Sequence, residues 1–378
     1  MENNKKIIFK NIYKKYKDIF ALKNINYSIN NNEFLVIFGP SGAGKTTTLK
    51  IIAGLELPTV GEIFINNQPA NSMSTFERNV RMTFENYILY PHLTVFENLA
   101  SPLRVKKISF EEIKRRVIEI ADVLGISNYL DRLPRELSGG QKQRVSLGRA
   151  LIVESDIYLL DEPLAHLDAK IRHKLRAEFQ NIKSFLSNST VIYVTHDYQE
   201  ALALADRICI IDKGELIQIG NPEEIYNKPT NIFVAEIIGQ PQINISKLNI
   251  SREKDNIYLV NKDLRINLTK KFMPIINSYN KNEIIFGCRP QFWDFKLIEP
   301  ELSKDFLKGK IIAYEIRNYR GIITVQINDE VINVLCDISR EINEKDNIWI
   351  QPKEEEILLF DADTNNNLVT KNKEFGDA

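Results

Sequence analysis

Residues 39–46, with the sequence GPSGAGKT, follow the continuous apolar run Phe34–Phe38 and lead into Thr46–Leu55, a segment of helical character. An apolar run of this length that ends at glycine and proline predicts a buried strand. Glycines let backbone N–H groups curl around an anion, and the helix that follows points its positive end at the same place. The spacing G-x-x-x-x-G-K-[ST] therefore predicts a loop that binds nucleotide phosphates between a strand and a helix.

The residues of this phosphate loop have separate predicted tasks. The Lys45 ammonium is expected to reach the β- and γ-phosphates of ATP, and the Thr46 hydroxyl is expected to ligate Mg²⁺. A chance glycine-rich turn is the alternative, and the flanking strand and helix weigh against it. The predicted nucleotide-binding residues of the loop are Gly39, Pro40, Ser41, Gly42, Ala43, Gly44, Lys45, Thr46 and Thr47.

The bulk properties of the chain exclude several classes of protein. Lys+Arg and Asp+Glu both number 50 among 378 residues, whereas proteins that mainly bind nucleic acid usually have a basic excess. No apolar run reaches the about 20 residues that cross a bilayer, and the first ten residues lack the apolar core of a secretion signal. The chain is therefore expected to be soluble, or peripheral to a membrane through a protein partner. The cysteines have no metal-ligand spacing and are expected to be small buried apolar side chains: Cys209, Cys288 and Cys336.

The order of segments predicts two different domains. Strands and helices alternate up to about residue 211, which predicts an α/β core with a mostly parallel sheet. After Gly239, short β-like segments alternate with polar turns, which favours a small barrel. The predicted divisions are an α/β domain over 1–239, an all-β domain over 240–361 and a polar tail over 362–378, disordered from Asp363 onward.

Further motifs indicate the class of nucleotide-binding protein. Residues 137–141, LSGGQ, resemble the signature motif of ABC ATPases, and 157–163, IYLLDEP, resemble their Walker B strand. Residues 164–168, LAHLD, resemble the D-loop, and 195–197, THD, resemble the segment with the switch histidine. The resemblance covers residues 5 to about 238. It implies a P-loop ABC ATPase fold with a helical subdomain at about 86–155.

The resemblance also implies roles for individual residues. Asp161 would hold Mg²⁺, Glu162 would orient or deprotonate the attacking water, and His196 would bond the γ-phosphate, with Lys45 as the third catalytic group. The signature residues begin a helix whose N–H groups would clamp a γ-phosphate on another subunit. The resemblance therefore implies a head-to-tail dimer, formed with a second copy of the chain or with a paralogue. The remaining implied nucleotide-binding residues are Ser138, Gly139, Gly140, Gln141, Asp168 and Tyr16, the last as an aromatic that stacks on adenine rather than an ordinary surface tyrosine.

One position departs from the family pattern. Residues 82–94, MTFENYILYPHLT, resemble the Q-loop region of sugar-importer ATPases, but Glu85 occupies the position of the usual Gln. Glu85 is still a suitable oxygen ligand for Mg²⁺. A working variant, one weakened site in a heterodimer, and a regulatory subunit with little turnover all remain open. The patch just after it either packs internally or receives helices of a membrane subunit: Tyr87, Leu89, Tyr90, Pro91 and His92.

The second predicted domain resembles the OB-fold regulatory domain of maltose-type importer ATPases. The resemblance rests on residues 233–241, FVAEIIGQP, and 287–291, GCRPQ. It implies an ATP-hydrolysing importer subunit for sugars or polyols at the cytoplasmic face of the cell membrane. The implied partners are two integral membrane permease subunits and, indirectly, an extracytoplasmic solute-binding protein, with no nucleic acid. A nucleotide-gated regulatory subunit and a soluble ABC ATPase of DNA repair or translation are the alternatives.

Overall fold

The structure, a computed structural model, divides into two compact units, Met1–Pro222 and Glu223–Ala378. It describes residues 4–83, 89–164, 182–253, 256–268, 270–301, 305–317, 319–338 and 342–371. Among these residues, none of the helices has the length and apolar composition needed to span a bilayer. The three cysteines are buried, as the sequence predicts.

The first unit contains strands and helices in alternation. Its strands are β1 (Lys5–Tyr16), β2 (Ile19–Asn30), β3 (Phe34–Phe38), β4 (Val60–Ile65), β5 (Gln68–Pro69), β6 (Val80–Thr83), β7 (Ile157–Asp161), β8 (Thr190–Thr195), β9 (Arg207–Asp212) and β10 (Glu215–Gly220). Its helices are α1 (Lys45–Ala53), α2 (Val95–Val105), α3 (Phe110–Val123), α4 (Gly139–Leu151) and α5 (Tyr198–Leu204). The α/β class predicted from the sequence is confirmed, and α2, α3 and α4 lie in the range predicted for the helical subdomain.

The main sheet of the first unit has the strand order β10-β9-β3-β8-β7-β6. Strands β9, β3, β8, β7 and β6 are parallel to their neighbours, and only β10 pairs antiparallel. All five residues of β3 are buried, which matches the unbroken apolar runs of central parallel strands. Because β3, β7 and β8 run in the same direction, the segments that follow them emerge at one edge of the sheet.

A buried arginine completes the C-terminal end of α1. Arg78 is only 3% exposed, and its guanidinium donates to the carbonyls of Ile51 and Ile52 at 2.5 and 2.9 Å. The last carbonyls of a helix have no partner within the helix, so a cation there satisfies them and matches the negative end of the helix dipole. The helix after the phosphate loop is therefore held at its far end by a residue from a separate segment.

The second unit is all-β, as predicted. Its strands are β11 (Asn244–Glu253), β12 (Asn256–Val260), β13 (Arg265–Leu268), β14 (Glu283–Cys288), β15 (Trp293–Lys296), β16 (Leu307–Arg317), β17 (Arg320–Ile327), β18 (Glu330–Cys336), β19 (Asn347–Pro352) and β20 (Leu358–Asp361). They form two antiparallel five-stranded sheets, ordered β13-β12-β11-β14-β20 and β15-β19-β16-β17-β18. Its short helices are α6 (Pro222–Asn227), α7 (Ile232–Ile237), α8 (Met273–Ser278) and α9 (Leu368–Lys371).

One apolar core spans both sheets of the second unit and includes Phe272, Phe286 and Trp293. Trp293 is 3% exposed and Trp349 is 7% exposed, and the Trp293 ring meets Phe286 edge to face at 6.1 Å. The burial of strand residues alternates, as in β18, because successive side chains point to opposite faces of a sheet. The prediction of strands rested on a different signal, the alternation of short β-like segments with polar turns.

The two units divide at Pro222, before the change of composition at Gly239. The cause is Arg289, which is 3% exposed. Its guanidinium stacks on the Tyr226 ring at 3.9 Å and donates to the carbonyl of Ala235 and to that of Ile238, the residue after α7. Helices α6 and α7 are thereby attached to the β-rich unit by side-chain contacts that lie far apart in sequence.

The beginning of the polar tail also differs from the expectation of disorder. Asn367 is 1% exposed, its side-chain amide donates to the carbonyl of Pro229, and its backbone N–H donates to the carbonyl of Thr230. The carboxylate of Asp361 accepts backbone N–H bonds from Asp363 and Thr364. Residues 363–371 therefore form a turn and a short helix that pack within the second unit.

Candidate nucleotide-binding site

The phosphate loop lies between β3 and α1 and is packed too tightly for side chains at two of its glycines. A Cβ at Gly39 would lie 2.1 Å from the carbonyl oxygen of Ile211. At Gly44 the φ angle is +109°, and a Cβ would lie 2.6 Å from the carbonyl oxygen of Ala21. Only glycine fits both positions. The loop is therefore held against its neighbours in a conformation that leaves its backbone available to a ligand.

The first residue of α1, Lys45, is buried, with 5% of its surface exposed. Its ammonium donates to the carbonyls of Gly39 and Pro40 at 2.9 Å each, and it lies 3.8 Å from Oε1 of Glu162. The N-terminal end of a helix carries partial positive charge, so a cation is electrostatically disfavoured there. The site is therefore one at which an added anion would find both an ammonium and a helix N-terminus.

Oxygen ligands from two elements meet beside this lysine. The Thr46 hydroxyl donates to Oδ1 of Asp161 at 3.1 Å, and Asp161, the last residue of β7, is 3% exposed. The Asp161 backbone N–H donates to the Thr83 hydroxyl at 3.3 Å. The described residues contain no cluster of three or more His, Cys, Asp or Glu side chains that would hold a metal ion alone. A hydroxyl and a carboxylate form the kind of partial oxygen set that Mg²⁺ completes with water and phosphate oxygens.

Glu162 and His196 meet at the same edge of the sheet, following β7 and β8. His196 Nδ1 lies 2.8 Å from Glu162 Oε2, and the two side chains are 47% and 17% exposed. Glu162 has a φ of +44°, a left-handed conformation that costs a residue with a side chain about 1–2 kcal/mol. Its backbone N–H donates to the Val194 carbonyl at 3.0 Å, which helps to hold it in this conformation. Strain of this kind is common at functional sites.

Tyr16 ends β1 and is 40% exposed. The Lys14 ammonium lies 4.8 Å from the centre of its ring. Burial raises the pKa of the Tyr16 hydroxyl, and the Glu56 carboxylate adds to this effect. The ring of this predicted adenine-stacking residue is thus partly open to solvent.

The signature residues form a second cluster at the N-terminus of α4. Ser138 is the N-cap, and its hydroxyl accepts from the backbone N–H of Gln141, whose side-chain oxygen accepts from the Ser138 N–H. Ser138 and Gly139 are exposed and Gly140 is half-buried. These two side chains form a capping box. The signature segment therefore lies at the start of α4, whereas Asp161 ends β7 and His196 follows β8.

Several predicted positions lie outside the described residues. These are Glu85, at the position of the usual Gln, and Asp168 of the D-loop, together with Tyr87 of the aromatic patch. Of the remaining patch, Leu89 is half-buried, whereas Tyr90, Pro91 and His92 are exposed. The part of this patch that the structure describes is therefore partly exposed.

Sequence reasoning missed the buried polar groups that hold these segments. Asn98 is fully buried, and its amide bonds the backbone of Tyr90, Leu93 and Thr94. Glu200 is 3% exposed and accepts hydrogen bonds from the hydroxyls of Tyr193 and Thr195. Both lie on the buried face of a helix, next to apolar residues at helical spacing. A polar residue in such a place was the available signal.

Comparison with known proteins agrees with these motifs. A family model described as ABC transporter matches residues 22–165. The oligosaccharides import ATP-binding protein MsmX of Bacillus subtilis is 38% identical over 347 residues, which is 91% of this chain and 94% of that protein.

This chain belongs to the ABC transporter ATP-binding proteins.

Other comparisons are consistent with this membership. The trehalose/maltose import ATP-binding protein MalK of Thermococcus litoralis is 40% identical over 288 residues, covering 74% of this chain and 76% of that protein. The solved dimer of the ATP-binding cassette MJ0796, in a post-hydrolysis state with ADP and Pi, is 35% identical with a TM-score of 0.52. That match covers 57% of this chain and 98% of the other. The first unit is therefore an ABC ATPase cassette, and the chain is an ABC-type ATPase.

Proposed function

We propose that this ABC ATPase subunit drives the uptake of sugars or polyols through separate membrane subunits. The observation that carries the proposal is the meeting of Lys45, Thr46, Asp161, Glu162 and His196 at one edge of the sheet. The cargo class is supported by the names of the relatives, which are import proteins for oligosaccharides and for trehalose and maltose.

Lys45 is proposed to bind the β- and γ-phosphates of ATP. Its ammonium would exchange the carbonyls of Gly39 and Pro40 for phosphate oxygens, which carry full charge and make stronger hydrogen bonds. The N-terminus of α1 adds its N–H groups and partial positive charge. Residues 39–44, together with Thr46 and Thr47, would line the phosphates, and the half-exposed Tyr16 ring would stack on adenine.

Thr46 and Asp161 are proposed to hold Mg²⁺, with Glu85 as a further ligand. The distance of 3.1 Å between the Thr46 hydroxyl and Asp161 Oδ1 supports two ligands on one ion. When bound, Mg²⁺ supplies positive charge that neutralises the transferring phosphoryl group. Asp161 accepts a hydrogen bond from the Thr46 hydroxyl, so the Asp161 carboxylate faces the phosphate loop before a metal ion binds.

Glu162 is proposed to orient and deprotonate the attacking water, and His196 to bond the γ-phosphate. The distance of 2.8 Å between His196 Nδ1 and Glu162 Oε2 supports the placement of both side chains next to the phosphoryl group that is transferred. The same contact would keep the Glu162 carboxylate turned toward the site before water enters. General-base catalysis by a positioned carboxylate contributes about 10²- to 10⁴-fold to a rate.

The subunit is proposed to act as a dimer, identical or with a paralogue, in which Ser138–Gln141 face the ATP of the other cassette along with Asp168. The exposure of Gly139 at a helix N-terminus supports this arrangement, because its N–H group can reach an anion outside its own subunit.

Two permease subunits are proposed to bind the exposed Tyr90–His92 segment at the cytoplasmic face of the membrane, and a solute-binding protein would deliver cargo to them. Residues 240–361 of the second unit are proposed to form an OB-fold-like regulatory domain. Affinity purification of the chain from its native membranes tests these partners, and recovery without multi-span membrane proteins would contradict them.

The replacement Glu162→Gln tests the function. We expect ATP turnover to fall by about a hundredfold or more, with ATP binding retained and sugar uptake lost in cells that carry only this variant. The matched control is Glu215→Gln, because Glu215 is exposed and its carboxylate forms a surface ion pair with Lys23, which contributes little to stability. Turnover by Glu162→Gln at the wild-type rate would contradict the role of Glu162. Normal sugar uptake without turnover would contradict the transport function.

A further inference from the structure

The buried carboxylate of Glu200 lies in the first turn of α5, one turn beyond His196. It is 3% exposed, and its Oε2 accepts from the Thr195 hydroxyl at 2.7 Å and from the Tyr193 hydroxyl at 2.9 Å. A buried carboxylate is stable only when it is hydrogen-bonded. Both hydroxyls therefore have a fixed direction, with their protons toward Glu200.

This direction matters most for Thr195. A hydroxyl has one proton and two lone pairs, so a Thr195 hydroxyl that donates to Glu200 presents its lone pairs elsewhere. It accepts from the backbone N–H of Asp197 at 3.0 Å. The bond spans His196, and it ties the residue after the histidine to the residue before it.

The conformation of His196 in turn affects Glu162. His196 Nδ1 lies 2.8 Å from Glu162 Oε2, and the Glu162 N–H donates to the carbonyl of Val194. Side chain and backbone of the strained Glu162 are thus both attached to the segment 194–196. A shift of that segment would move the Glu162 carboxylate with it.

We propose that Thr195 is a positioning residue for ATP hydrolysis, oriented by Glu200, that sets the place of His196 and through it of Glu162. The proposal rests on the proposed roles of Glu162 and His196. Tyr193 bonds the same oxygen of Glu200 but does not span the histidine. Tyr193 therefore provides a control, because its hydroxyl also bonds Glu200 but can be removed without a change in residues 195–197.

The test compares Thr195→Val with Tyr193→Phe in the purified full-length chain, with Thr195→Ser as the conservative variant. Both Thr195→Val and Tyr193→Phe remove one hydroxyl bonded to Glu200 and should lower the melting temperature. Only Thr195→Val is expected to lower kcat, by about tenfold or more, because displacement of a reacting group by about 1 Å is enough for such a loss. The KM for ATP should stay within about twofold, and Thr195→Ser should restore kcat.

An equal loss of kcat in Tyr193→Phe and Thr195→Val would overturn the proposal, as would normal kcat in Thr195→Val. If Thr195→Val does not fold, Thr195→Ala serves in its place, since it also lacks the hydroxyl but adds no methyl beside the Glu200 carboxylate. Wild-type and Glu162→Gln proteins are measured in parallel. Absence of turnover in the wild type would refute the proposed function, whereas an active wild type with unaffected Thr195 variants would refute the positioning role alone.

Discussion

The two ends of α1 each have a buried cation, and the two cations differ in what the helix does to them. Arg78 lies at the C-terminal end, where its guanidinium meets the carbonyls of Ile51 and Ile52 and the helix dipole attracts it. Lys45 lies at the N-terminal end, where the dipole repels it. Both are almost completely buried, at 3% and 5% exposure respectively.

The difference separates structural from functional charge. The positive charge of Arg78 complements the negative end of the helix in the folded chain without a ligand, so its removal should lower stability. Lys45 lies where the helix dipole favours an anion, so the interaction energy of its ammonium is most favourable when phosphate is bound. The sign of the local field, rather than burial, therefore indicates which of two buried cations serves a ligand.

Replacement of Arg78 by Met should have the largest effect. It removes the hydrogen bonds of a buried guanidinium to the carbonyls of Ile51, Ile52 and Ala70, and we expect the free energy of unfolding to fall by about 3 kcal/mol or more. Denaturant unfolding followed by circular dichroism measures this loss. The affinity for ATP of the folded variant should change by less than about threefold, because the phosphate loop is at the other end of the helix.

Replacement of Lys45 by the same residue, Met, should have the opposite profile. The loss of charge-assisted bonds to phosphate is worth about 2–3 kcal/mol, or roughly 30- to 150-fold in the dissociation constant for ATP. Stability without nucleotide should fall less than in Arg78→Met, because the loss of the bonds to the carbonyls of Gly39 and Pro40 is offset by the removal of a cation from a helix N-terminus. Calorimetric titration with ATP and thermal unfolding without it measure the two quantities. If Lys45→Met and Arg78→Met lost affinity and stability in the same proportion, the distinction between the two ends would be wrong.

Tyr16 should give the smallest effect, because stacking on adenine involves no charge. Replacement by Ala is expected to weaken ATP binding by about 1 kcal/mol, or roughly fivefold. Tyr16→Phe keeps the ring and should bind ATP as the wild type does, although it loses the hydroxyl. Equal weakening in the two variants would show that the hydroxyl, rather than the ring face, supports the nucleotide.

The parts of the fold that were predictable are those whose signal is local. The apolar run Phe34–Phe38 coincides with β3, because consecutive apolar residues directly indicate a fully buried strand. Helices α6 and α7 were missed because six-residue helices contain fewer than two turns of periodicity. Their attachment to the second unit depends on Arg289, which is 51 residues beyond the Ile238 carbonyl that it bonds.

For the candidate site too, the motifs were predictable from the sequence, but the contacts between distant residues were not. The motifs implied that Lys45, Asp161 and His196 act on one nucleotide, and parallel strands bring their segments to one edge of the sheet. The strained φ of Glu162 and the link from Glu200 through Thr195 were not predictable. They depend on hydroxyl direction and backbone angles, which residue spacing does not encode.

The placement of the tryptophans has a spectroscopic consequence. Trp293 and Trp349, the chain's two tryptophans, are both buried in the second unit, so intrinsic indole fluorescence originates from that unit alone. Excitation at the red edge of the protein band therefore observes the β-rich unit, while the ATPase cassette contributes only tyrosine emission. Tryptophan fluorescence therefore distinguishes changes in the second unit from changes in the first unit.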